Sequence, residues 1–127
     1  MNKKLVYFVL IIAVFLSSLW IYNNRFSRTE LIKLLDSEDA LDVCIACDYI
    51  VDKGDTTFYK YLLKKPYQFH NSFDLRCYGL NGYVCKMQAI ENLSGIKSFK
   101  NLYDYHVQSD TTIAEFYRLK LSNRMIK

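Results

Sequence analysis

Residues Leu5–Tyr22 read LVYFVLIIAVFLSSLWIY, eighteen consecutive positions without a charge. Lys3 and Lys4 precede the run, and Asn23, Asn24 and Arg25 follow it. As a helix the run extends about 27 Å, close to the roughly 30 Å apolar thickness of a bilayer. Lipid offers no hydrogen-bond partners, so a spanning segment must satisfy its own backbone, as a helix does. The run is apolar on every face, which excludes a surface amphipathic helix. Ser17 and Ser18 can bond back to the preceding turn. Trp20 and Tyr22 at one end, and Tyr7 towards the other, carry rings suited to the membrane–water boundary.

Two readings compete for this segment. One is a retained single-pass anchor, with Leu5–Tyr22 in the bilayer. The other is a secretory signal, which needs small residues at a cleavage site and two positions before it. Cutting after Ser17 or Ser18 would place Phe15 or Leu16 at the second of these positions. No cysteine at the end of the run marks a lipoprotein signal. The retained anchor is favoured. A core helix of a soluble protein rarely runs so long without a polar turn. Basic residues nearly balance across the segment, with Lys3 and Lys4 against Arg25, Arg28 and Lys33. The signal-like start favours the amino terminus inside and the domain on the extracytoplasmic side.

The chain therefore divides into an anchor, residues 1–25, and a domain, residues 26–127. Of 17 Lys and Arg, three flank the apolar run (Lys3, Lys4 and Arg25), leaving 14 against 13 Asp and Glu. The domain is thus nearly neutral, with no basic stripe to mark a nucleic-acid partner. Eleven Tyr and eight Phe imply a core built from large rings. One Pro and four Gly argue against disorder and against a turn-rich β fold.

The domain reads as all-α. Ser27-Arg28-Thr29-Glu30 has the form of a capping box opening a short helix to about Leu35. Ala40–Val51, ALDVCIACDYIV, is so rich in apolar and small residues that it should be buried on most sides. Gly54 stops it as a left-handed residue. Asp55 caps the next helix, Thr56–Lys64, with Phe58, Tyr61 and Leu62 inward and Pro66 barring continuation. Asp39–Lys65 is thus expected to be an antiparallel hairpin. Tyr67–Leu80 holds no helical face and reads as an ordered loop. Asn81-Gly82 opens a helix over Tyr83–Leu93, with Val84, Met87, Ala89, Ile90 and Leu93 inward, and Gly95 ends it. Ile96–Ser109 reads as an extended arm. Asp110 caps a last helix, Thr111–Ser122, with Ile113, Phe116, Tyr117, Leu119 and Leu121 as its apolar set.

The stretch DVCIACDYIVDKGDTTFYKYLLKKP resembles a HEAT-type helical repeat. YGLNGYVCKMQAIENLSG followed by TTIAEFYRLKL resembles the closing half of small bacterial HEAT-repeat-like proteins, on Tyr83, Lys86, Ala89-Ile90 and Ser94-Gly95. The resemblance spans about Asp36–Leu121 and departs at Tyr67–Leu80. It implies stacked helical pairs that present contact surfaces; fold alone does not assign a function.

The chemistry-bearing residues are few. Cys44-Ile45-Ala46-Cys47 has redox spacing, but redox pairs sit at a helix N-terminus and this one lies inside a helix. Cys44, Cys47, Cys77 and Cys85 could supply a Cys₄ zinc site, yet the spacing of the second pair is not that of a knuckle. In an oxidising compartment, a bridge from the Cys44/Cys47 helix to Cys77 or Cys85 is open, with the pairing undetermined. His70 and His106 have no nucleophile or carboxylate placed beside them by spacing. Asp39, Asp42, Asp48, Asp52 and Asp55 lack the loop length and final Glu of a calcium loop and read as caps and solvated edges. The ring cluster Tyr67, Phe69, His70, Phe73 and Tyr78 is equally a contact surface or part of a thin core. No catalytic, cofactor-binding or metal residue is expected. The expected role is a non-enzymatic helical domain, held at a lipid bilayer through Leu5–Tyr22 and acting on a protein partner. The alternative is an exported cysteine protein with a redox or metal role after signal cleavage. A third reading is a subunit that braces a membrane complex through Leu5–Tyr22 itself.

Overall fold

The structure is a computed structural model that describes residues 2–64, 81–104 and 110–125. Among these residues it holds helices and no strand. Two compact units divide the chain, Met1–Glu30 and Leu31–Lys127.

The first unit is dominated by α1, Lys3–Asn23, which is long and apolar enough to cross a membrane. None of its residues is buried. The Asn2 side chain caps its start by accepting from the Lys4 N–H at 3.1 Å. Ser17 and Ser18 donate to the carbonyls of Ala13 and Val14, both at 2.8 Å, so neither hydroxyl is left unmet on an apolar surface. At the far end the Asn24 amide donates to the Trp20 carbonyl at 2.9 Å. The Arg25 guanidinium lies over the rings of Tyr22 and Phe26, at 4.8 and 5.1 Å from their centroids. This clasp joins a cation and two rings, the residue types that favour a membrane boundary.

Helix α2, Arg28–Leu35, opens on the Ser27 half of the expected capping box: the Ser27 hydroxyl accepts from the Glu30 N–H at 3.2 Å. Its Leu31 and Leu35 are buried in the second unit. Helix α3, Ala40–Lys53, starts where Asp39 accepts from the Leu41 N–H at 3.0 Å. It ends at Gly54, whose φ of 63° suits a residue without a Cβ. The next helix differs from the continuous span expected over Thr56–Lys64. Asp55 caps a 3₁₀ turn, Thr56–Phe58, followed by a single α turn, α4, Tyr59–Leu62. Helix α5 runs Gly82–Ser94 between the Asn81 cap and Gly95, at φ 71°. Helix α6 runs Thr112–Met125, with Asp110 accepting from the Thr112 N–H at 3.0 Å.

The most enclosed helix is α5, although its sequence is less apolar than that of α3. Tyr83 through Met87, and Ala89 and Ile90, are all buried, including Lys86 at 4 % exposure. It packs chiefly on α3, and also on α4 and α6. The approach to α3 is close at its start. A Cβ on Gly82 would lie 3.3 Å from both Val43 methyl carbons. In α6, Ile113, Tyr117 and Leu121 point inward at i, i+4, i+8 spacing, with Ala114 beside them. Leu119, expected in that set, falls on the opposite side of the helix and is 76 % exposed.

Two buried tyrosines fasten α6 to α5. The Tyr83 hydroxyl donates to the Asp110 carbonyl and accepts from the Ala114 N–H at 3.2 Å. It thereby satisfies a donor in the first turn of α6 that has no helical partner. The Tyr117 hydroxyl donates to the Ile96 carbonyl at 3.0 Å and lies 3.5 Å from Glu91 Oε2. That same oxygen accepts from the Ser98 N–H at 2.9 Å, closing the turn after α5. Replacing Tyr83 with Phe leaves the Ala114 N–H unmet. It should lower unfolding free energy by about 1–3 kcal/mol, read as a lower urea midpoint at unchanged slope.

Candidate functional site

Where α3 lies along α5, a groove of about 260 Å³ opens between them. On α3 it is lined by Cys47, Asp48, Val51 and Asp52, one stripe at i, i+1, i+4, i+5 spacing. On α5 it is lined by Cys85, Gln88, Ala89 and Asn92, at i, i+3, i+4, i+7. The groove thus gathers a thiol, two carboxylates and two amides beside a disulfide.

The disulfide joins Cys44 to Cys85, with Cα atoms 5.5 Å apart and the two residues 41 positions apart in sequence. The pairing left open by the sequence is therefore α3 to α5. Cys77 lies outside the described residues. Cys47, the other half of the C-x-x-C, is a buried free thiol. Burial pushes its pKa from 9.0 up to about 12; the nearby Lys86 ammonium opposes this in part, and Asp48 adds to it. Burial thus keeps the thiol protonated at neutral pH, and a protonated thiol is a poor nucleophile.

Asp48 is also held above its ordinary carboxylate range, first by partial burial and then by Asp52 one helical turn away. Two like charges on one groove wall favour any cation or hydrogen-bond donor placed between them. The Gln88 Nε2 is buried and makes no hydrogen bond among the described residues. The groove can therefore receive a small polar or cationic group, through the two carboxylates and the amide carbonyls. Among the described residues, no three His, Cys, Asp or Glu side chains converge as a metal site would require.

A second surface lies on the outer face of α6. Phe116 packs edge-on to Phe99 with centroids 5.3 Å apart, and Phe99 is 55 % exposed. Leu119 stands one turn from Phe116, and Lys100 and Lys120 lie over the rings of Phe99 and Phe116. The result is an apolar patch bordered by lysines. The sequence signal for it existed: Leu119 is out of step with the 113, 117, 121 stripe.

Of the other residues singled out by sequence, Asp39 and Asp55 are helix caps. Asp42 accepts from the Ser37 hydroxyl at 2.8 Å. His70, His106 and the ring cluster Tyr67, Phe69, Phe73 and Tyr78 lie outside the described residues. Comparison with protein-family models, with curated proteins and with solved structures finds no match to this chain.

Three outcomes follow. Closing a loop of this length stabilises a domain by up to about 4 kcal/mol. Paired replacement of Cys44 and Cys85 by Ala should lower the unfolding free energy by about 2–4 kcal/mol in denaturant titration. Because the Cys47 pKa is raised on folding, its contribution is full below about pH 9 and is lost as pH rises towards 12. Cys47→Ala should flatten the alkaline fall in thermal midpoint over that window. In the parent protein, iodoacetamide should label Cys47 only after unfolding.

Proposed function

We propose that this chain is a single-pass membrane protein whose helical domain lies on the extracytoplasmic side and works by protein contact. The observation that carries the reading is α1 itself, a 21-residue helix long and apolar enough to cross a membrane, with no buried residue. A helix of this kind needs an apolar surrounding, and a bilayer provides one. The Arg25 clasp on Tyr22 and Phe26 suits the outer boundary of that bilayer.

The side of the membrane is argued from the cysteines. A disulfide between α3 and α5 belongs to an oxidising compartment. Contact with a protein partner is supported by the lysine-bordered patch of Phe99, Phe116 and Leu119. An aromatic and aliphatic centre with a charged rim is the usual make-up of a contact surface. The similarity to HEAT-type pairs rests on α3 with its Gly54 stop and Asp55 cap, and on α5 with its Gly95 stop. The alternative, a cleaved, exported redox or metal protein, draws on the Cys44–Cys85 bridge lying in one motif with Cys47. The suppressed ionisation of Cys47 works against it.

Fractionation and a topology reporter test the reading together. The chain should stay with membranes through alkaline carbonate extraction, with an intact mass that includes Leu5–Tyr22. A C-terminal reporter active only outside the cytoplasm should be active. Recovery of a shortened, soluble chain, or of a silent reporter, would sink the proposal.

A further inference from the structure

A second cleft, of about 540 Å³, opens between the 3₁₀ turn with α4 and the last turns of α5 and α6. It shares no lining residue with the α3–α5 groove, and its charge is opposite. Lys60 and Arg124 line it, together with Thr56, Thr57, Tyr59, Asn123 and Leu93, and among the described residues no carboxylate does. Asp55, next to Thr56 in the chain, is not part of the lining. Its Oδ1 accepts from both the N–H and the hydroxyl of Thr57.

Both cations are exposed to whatever enters. Among the described residues the Arg124 guanidinium has no ion pair, and the Lys60 ammonium rests over the Tyr61 ring at 5.1 Å from the centroid. Arg124 also sits in the last turn of α6, where a cation complements the helix's negative end. Two positive charges sharing one cleft repel each other, and an anion between them removes that cost. The guanidinium offers a planar fork of donors that fits two oxygens of one phosphate, and an ammonium offers a point charge to a third. The Thr56 hydroxyl and the Asn123 amide remain as neutral donors. The cleft is larger than a bare phosphate needs and falls within the range of small-molecule sites. Leu93 adds an apolar contact for the carbon part of a ligand.

We propose that this cleft binds an organic phosphate, with Arg124 and Lys60 holding the phosphate oxygens and Thr56 and Asn123 donating to them. The phosphate can belong to a soluble metabolite or to a lipid headgroup, since the recognising chemistry is the same.

The test uses the full chain in neutral maltoside micelles and follows thermal unfolding by circular dichroism. Inorganic phosphate should raise the midpoint saturably, beyond chloride at equal ionic strength. Arg124→Gln and Lys60→Gln should each weaken the apparent affinity about tenfold or more, read as the phosphate-dependent rise from each variant's own phosphate-free midpoint. Lys97→Gln, at an exposed residue outside the cleft, should respond like the parent. Soluble glycerol 3-phosphate and micelles doped with phosphatidylglycerol then separate the sources. Arg124-dependent protection by either one supports the site and names its ligand. A phosphate effect no greater than that of chloride, or one that survives in both glutamine variants, overturns the proposal.

Discussion

The pairing of α3 with α5 is the constraint on which the rest of the domain depends. Helices of 8 to 14 residues are marginal on their own in water, so each must gain its stability from burial. Here α5 supplies the surface against which α3, α4 and α6 are buried. Gly82 lets its first turn come close to Val43, and the Cys44–Cys85 bridge fixes the two helices covalently at that end. The buried hydroxyls of Tyr83 and Tyr117 then tie α6 to α5 and to the turn that follows it. A helix enclosed on several sides must carry its polar groups inward. Tyr83 and Glu91 accordingly make hydrogen bonds to neighbouring elements, and Lys86 lies close enough to influence Cys47.

The same packing sorts the polar chemistry. The α3–α5 groove gathers Asp48, Asp52, Gln88 and Asn92, while the cleft formed with α4 and α6 gathers Lys60 and Arg124. A nearly neutral domain thus carries two concavities of opposite sign, and its net charge conceals both. The buried thiol belongs to the first of these, yet burial removes the ionisation that would make it reactive. Tyr117 shows the same effect: enclosure, and then the neighbouring Glu91, hold its hydroxyl protonated well above the ordinary range. Asp110 goes the other way, held low by the Lys100 ammonium and by Thr112, so it stays an acceptor for the start of α6.

What the sequence by itself determined was local. The apolar run gave α1 because eighteen uncharged residues leave a helix few other solutions. Ser27, Asp39, Asp55, Asn81 and Asp110 marked helix starts, and Gly54 and Gly95 marked ends, because capping depends on residues within one turn. Tertiary structure decided everything that depends on what lies across the core. It made α5 the enclosed helix although α3 is the more apolar, since burial follows position among neighbours rather than hydrophobicity alone. It paired Cys44 with Cys85, left Cys47 a buried free thiol, and turned Leu119 outward. It also brought Lys60 and Arg124, 64 positions apart in the sequence, into one cleft. No periodicity within a single helix records such a meeting, because the two residues share only the space that packing leaves between their helices.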